Sequence, residues 1–120
     1  MAAGSVRRGA QAEQQVCDAL RAEGWTLVAR NWRGGGGELD VVALRDGVLR
    51  VVEVKARARA DGSALQSVSR AKQRRLTAAA EALLAERREL DAAARELMFS
   101  VALVEAGQLR WLDDAFDAAY

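Results

Sequence analysis

The sequence contains no histidine, which excludes Ser-His-Asp triads, imidazole metal ligands and histidine general bases. Its single cysteine, Cys17, supports neither a disulfide framework nor a zinc cluster of cysteines. Proline is absent, and no repeat or low-complexity linker divides the chain. No apolar run approaches the ~20 residues needed to span a bilayer. The first residues lack the apolar stretch of a signal peptide. These absences predict a cytoplasmic protein with no membrane partner. Any catalysis must come from carboxylates, lysine, hydroxyls or the one thiol.

What is present is an ordinary folded mixture, 51% apolar and 29% charged over 120 residues. That length predicts a single domain over residues 9–120 behind a flexible N-terminus at 1–8. The net charge is +1 but unevenly placed. Residues 1–75 carry 14 basic against 8 acidic side chains, and residues 76–120 carry 4 against 9. A basic front permits nucleic-acid binding, although solvated faces of opposite sign would look the same. Of 18 basic residues only Lys55 and Lys72 are lysine. Lysine in so arginine-biased a chain draws notice wherever a compact or proton-sharing ammonium is needed.

The pattern predicts a helix over 8–23, with Val16, Cys17 and Leu20 on one face and Gly24 beyond its end. A strand follows over 25–32, then a flexible loop over 34–37. Two β-rich runs, 38–44 and 48–57, flank Asp46-Gly47, a strong hairpin signal. A helical region begins over 63–69 and continues as an alanine- and leucine-rich helix over 71–86. Strands over 97–105 and 109–112 close the chain, with a last helical turn expected in 113–120. A strand, a long helix and another strand imply a parallel crossover. The expected fold is α/β, a mixed sheet flanked by helices.

The hairpin places the chemistry. A two-residue Asp46-Gly47 turn pairs Arg45 with Val48, which sets Asp40 opposite Glu53 and Glu38 opposite Lys55. Opposed side chains share a face with Cβ atoms about 4.5–5.5 Å apart. That face continues through Val42, Leu44, Leu49 and Val51. The other carries Leu39, Val41, Ala43, Val52 and Val54, so helices should cover both sides. Two carboxylates so opposed at the edge of a buried region repel each other, and a divalent cation is the natural compensation. Glu13 extends the apolar stripe of the first helix, either pointing at the sheet or reaching outward to solvent. Lys72 shares a face with Leu76, Ala79 and Leu83, offering either a phosphate contact or a solvated helix end.

The combination of Glu13, Arg30-Asn31-Trp32-Arg33, Gly37-Glu38-Leu39-Asp40, Val52-Glu53-Val54-Lys55-Ala56-Arg57 and Lys72 resembles the YraN family of small bacterial proteins. The match runs in order from about Gly9 to Ala80. That family is similar to the restriction-endonuclease-like PD-(D/E)xK nucleases and to archaeal Holliday-junction resolvases. Asp40, twelve intervening residues and Glu53-x-Lys55 fit the superfamily motif. The resemblance implies a restriction-endonuclease-like αβββαβ core, with Glu13, Asp40, Glu53 and Lys55 as catalytic positions. It implies Asp40, Glu53 and Glu13 as ligands of Mg²⁺ or Mn²⁺, with the Val54 carbonyl as a further donor. Where the family usually carries Arg-Phe-Asp, this chain has Met98-Phe99-Ser100 and lacks that aspartate.

The expected activity is metal-dependent endonucleolytic hydrolysis of nucleic acid, with DNA favoured. Arg57, Arg59, Lys72 and Arg75, together with Arg70 and Arg74, would hold the sugar-phosphate backbone. A homodimer is suggested by analogy with junction resolvases. The alternative is a non-catalytic nucleic-acid-binding or protein-interaction module on the same fold. A phosphate-binding P-loop at Gly34–Gly37 is a poor reading, because no Gly-Lys-Ser/Thr ending follows and the glycines open a strand.

Overall fold

Alternation of Val, Leu and Ala along two β-rich runs, joined by residues that tolerate a left-handed backbone, organises the whole sheet. The computed structural model describes the backbone of residues 2–57 and 68–116 and the side chains of 9–57 and 68–112. The order is α1 (Ala2–Ala22), β1 (Thr26–Gly34), β2 (Gly37–Arg45), β3 (Val48–Arg57), α2 (Arg70–Glu86), α3 (Arg88–Ala93), β4 (Glu96–Glu105) and β5 (Gln108–Phe116). The five strands lie in sequence order across one mixed sheet, in which only β3 and β4 run parallel. This is the expected α/β architecture.

At the β2–β3 turn, Asp46 and Gly47 both take positive φ, 50° and 80°, as a tight primed turn requires. The ladder then runs from Arg45–Val48 to Val41–Val52 in the expected register. Beneath one face, Ala12, Val16, Cys17 and Leu20 of α1 pack against Val41, Ala43, Val52, Ala102 and Val104. On the other, Leu76, Ala79, Ala80 and Leu83 of α2 pack against Val42, Leu49, Val51, Phe99 and Val101. The hairpin is therefore covered on both sides, as its two apolar faces demand.

Helix α1 stops where Gly24 turns left-handed (φ 87°). The Trp25 and Gly24 amides donate to the carbonyls of Leu20 and Arg21, a Schellman ending that satisfies the last turn. Helix α2 starts at Ser69, whose hydroxyl accepts the Lys72 amide at 3.1 Å. No described helix is long and apolar enough to cross a membrane.

Several boundaries differ from the sequence reading. Helix α1 begins at Ala2 rather than near residue 8. The glycine run is a two-residue turn at Gly35 and Gly36, not an open loop, because β1 continues to Gly34 and β2 starts at Gly37. Of the helical region expected over 63–69, residues 63–67 lie outside the described residues, and Val68 and Ser69 precede the helix. Helix α3 was not anticipated. The tail expected to be helical instead extends β5 to Phe116, with 117–120 outside the described residues.

The glycine turn also fixes the distance between β2 and α2. A Cβ on Gly35 would stand 2.5 Å from the Ala78 carbonyl oxygen, at a backbone φ of 61°. Gly36 has φ 84° but open space around it. Alanine at Gly36 is therefore expected to cost about 1 kcal/mol in backbone strain, and alanine at Gly35 about 2 kcal/mol once the clash is added. Urea denaturation of both variants measures the difference. Equal losses would mean that close approach to α2 contributes nothing.

Candidate active site

The site forms where the hairpin opens. Beyond Val41–Val52 the ladder lacks the next expected pair, and the Val54 amide donates to the Asp40 carboxylate at 2.9 Å instead. Asp40 and Glu53 nevertheless converge, and both line two cavities that meet at this edge of the sheet. One, of about 600 Å³, is bordered by Arg33, Glu38, Asp40, Glu53, Lys72 and Arg75. The other, of about 510 Å³, is bordered by Glu13, Asp40, Glu53, Val54 and Arg57.

A break in strand alternation produces this geometry. Leu39 sits in the same core as Val42, on the α2 side, whereas Val41 and Ala43 face α1. Strict alternation would have placed Leu39 with Val41, so that expectation is corrected. On β1 the same shift appears, with Ala29 and Trp32 both packed on the α2 side. Between them lies Asn31, left-handed at φ 51° inside the strand. The registered pairs Arg30–Val41 and Trp32–Leu39 flank Asn31 and Asp40 without including them. On β1 a left-handed residue changes the direction of successive side chains, so a period of two fails on crossing Asn31, and β2 changes side at Asp40 across from it.

Electrostatics follow from that placement. Burial, with the nearby charge of Glu53 next, pushes the Asp40 carboxyl up from 3.8 to about 7. The Val54 amide and Lys72 act in the opposite direction, and Glu13 adds to the rise. Glu53, only 12% exposed, is bridged by the Lys72 ammonium at 3.1 Å. Lys72 therefore rests against an acid of the site, the position from which a phosphate would have to draw it. Lys55 borders a smaller hollow with Glu53, Ser69 and Lys72. Glu38, which the register placed opposite Lys55, instead pairs with Arg33 at 3.4 Å, its neighbour across the β1–β2 ladder.

Glu13 borders the second cavity from α1. Its Oε1 accepts the Asn31 side-chain amide at 3.0 Å and lies 3.5 Å from the Arg30 guanidinium. Of the basic residues expected to hold a phosphate backbone, Arg57 lines the second cavity and Arg75 the first. Arg70 and Arg74 are exposed on α2, and Arg59 lies outside the described residues.

The donor chemistry suits a hard divalent cation. Among the described residues no three of His, Cys, Asp and Glu are gathered as a ready-made ligand set. Mg²⁺ keeps several waters, however, and is commonly held by one or two carboxylates together with substrate phosphate. Asp40 and Glu53 are such a pair, with hard oxygen donors and a like-charge repulsion that a cation would relieve.

Sequence reasoning missed Asn31 as a site residue and Arg50 as a buried charge. Arg50 lies between the rings of Trp25 and Trp111, 5.2 and 4.1 Å from their centroids, and donates to the Ser100 hydroxyl at 3.0 Å. Ser100, where the resemblance leads one to expect aspartate, thus belongs to this packing. No sequence signal separates Arg50 from the exposed arginines. The Arg30-Asn31 pair does carry one, since asparagine is among the few residues that tolerate a left-handed strand position.

A family profile described as "Uncharacterised protein family UPF0102" matches residues 12–104. A UPF0102 protein of Bordetella avium is 47% identical over 111 residues, covering 92% of this chain and 74% of that protein. One from Cupriavidus necator is 44% identical, covering 92% of this chain and 82% of its own. One from Pseudomonas putida is 39% identical over 122 residues, covering 97% and 98%.

Proposed function

Because the chain belongs to the uncharacterised family UPF0102, its chemistry has to be argued from the site, and we propose a metal-dependent endonuclease that hydrolyses phosphodiester bonds in nucleic acid, DNA first. The observation that carries this reading is the half-buried Asp40–Glu53 pair at the opened hairpin, ringed by Arg33, Lys72 and Arg75. Asp40 and Glu53 would hold Mg²⁺ or Mn²⁺, with Glu13 and the Val54 carbonyl completing the shell directly or through water. When bound, such an ion supplies charge neutralisation and an acidified water.

The chain's own residues do the rest. Arg33 and Arg75 on one side, and Arg57 on the other, place the sugar-phosphate backbone across the acidic pair. Lys55 orients the attacking water or neutralises charge gathering on the phosphoryl oxygens. The water oxygen bonds to phosphorus and gives up a proton to solvent, and the ester P–O bond breaks, its alkoxide taking a proton from solvent to leave as an alcohol. A rival reading, a non-catalytic nucleic-acid-binding or protein-interaction module, draws on the Lys72–Glu53 ion pair, which already neutralises an acid that a metal would use.

Cleavage decides between them. With Mn²⁺ or Mg²⁺ present, the unmutated protein should cut at least one of single-stranded, duplex, flap or four-way-junction DNA. Asp40→Asn and Glu53→Gln should each remove that activity and weaken Mn²⁺ binding in a titration. If none of these substrates is cut and Asp40→Asn binds Mn²⁺ as the unmutated protein does, the binding-module reading stands instead.

A further inference from the structure

Asn31 is the only described non-glycine residue with positive φ outside the two-residue turns, Asp46 and Ala106 being the others. Left-handed backbone at a non-glycine residue is unfavourable and persists where the surroundings determine it. Here the surroundings are specific. The conformation lies across from Asp40, between the pairs Arg30–Val41 and Trp32–Leu39 of the β1–β2 ladder. It also aims the side-chain amide out of the sheet and onto α1, where Nδ2 donates to Glu13 Oε1 at 3.0 Å. Arg30 approaches that same oxygen. Among the described residues nothing bonds to Glu13 Oε2, and Glu13 shares a cavity with Asp40 and Glu53.

We propose that Asn31 is a positioning residue. Its left-handed backbone interrupts the regular β1–β2 alternation across from Asp40, and its amide clamps one oxygen of Glu13 so that the other faces the acidic pair. The inference rests on the metal-site reading above and adds a residue to it. Two functions share one side chain, because asparagine both tolerates the left-handed region and carries a neutral donor. Glycine would keep only the first. Aspartate would keep the backbone tolerance but set an acceptor against a carboxylate, breaking the clamp by repulsion. Groups that orient metal-holding residues commonly contribute 10–100-fold to metal affinity or activity.

The test uses Asn31→Gly and Asn31→Asp, both of which suit the backbone, alongside Glu13→Gln and Asp40→Asn. Both Asn31 variants should fold, with melting temperatures close to the unmutated protein. Their Mn²⁺ affinity should fall about tenfold and their turnover 10–100-fold, while the Kd for DNA measured in chelator stays unchanged. In the Glu13→Gln background, Asn31→Gly should add little, since the two act as one unit. A role confined to backbone shape predicts full rescue by glycine. Full Mn²⁺ affinity and turnover in Asn31→Gly, with Asp40→Asn inactive, would overturn the role of Asn31 and leave the metal site standing. If Asp40→Asn keeps Mn²⁺ binding and cleavage, the metal-site reading itself fails and this inference goes with it.

Discussion

Lys55→Ala is expected to lower metal-dependent cleavage by ~10²–10⁴-fold, the usual contribution of a group that moves a proton or stabilises developing charge. Mn²⁺ binding should survive, because a protonated ammonium has no lone pair to offer a metal and Lys55 borders the site only through the hollow it shares with Glu53 and Lys72. Most DNA affinity should survive as well, since Arg33, Arg57 and Arg75 remain. Losing a single backbone contact would instead weaken binding modestly and reduce the salt slope by about 1. Lys55→Arg is the stricter variant. It keeps the charge but not the compact shape or the ability to share a proton. A backbone contact survives that exchange, and a catalytic ammonium does not. Single-turnover cleavage and salt-dependent binding of both variants measure this. Equal activity in the unmutated, alanine and arginine proteins would leave Lys55 outside the chemistry.

The second large effect is on stability. Asp40 holds its proton up to about pH 7 in the folded chain, whereas an ordinary aspartate releases it near 3.8. A carboxyl whose folded pKa is raised contributes stability that is fully present below the unfolded value and lost as pH rises through the folded value. Without metal, the protein should therefore lose stability between about pH 4 and pH 7. Asp40→Asn keeps an acceptor for the Val54 amide and removes the charge. It should match the unmutated protein near pH 4 and exceed it by roughly 2 kcal/mol at pH 8, a figure discounted for the partial exposure of the site. Millimolar Mg²⁺ should close that gap at pH 8 by stabilising only the protein that retains the Asp40 carboxylate. Urea midpoints across pH, with and without Mg²⁺, check both statements. Parallel pH curves for the two proteins would mean that Asp40 ionises as freely in the folded chain as in the unfolded one.

Much of the fold and part of the site were legible in the amino-acid order. Asp46-Gly47 fixed the hairpin because two adjacent residues tolerant of positive φ leave few other conformations. Register then followed by arithmetic as far as Val41–Val52, since each strand buries both faces and a slip would move every side chain. The same local logic gave the α1 stripe of Val16, Cys17 and Leu20 and its end at Gly24. It also brought Asp40 and Glu53 near each other. The tail was misread because a short run of mixed residues holds no periodicity; its strand is decided by the neighbouring β4 edge.

What tertiary structure alone decided lies within a few ångströms of the acids. Counting alternation assumes regular strands, but β2 puts Leu39 and Val42 on one side and Val41 on the other, and β1 changes side opposite it at the left-handed Asn31, so the side on which Leu39 packs could not be counted from the sequence. Whether Lys72 met solvent, phosphate or a carboxylate depended on how far α2 sits from β3. The Gly35 turn sets the approach of α2 to the sheet through its contact with Ala78. Glu13 likewise needed α1 laid across β1 before Arg30 and Asn31 could reach it. Local sequence determines conformations that neighbouring residues impose on one another. Which charges face each other is settled by contacts between elements distant in the chain, where a shift of a single side chain turns a solvated ion into part of a site.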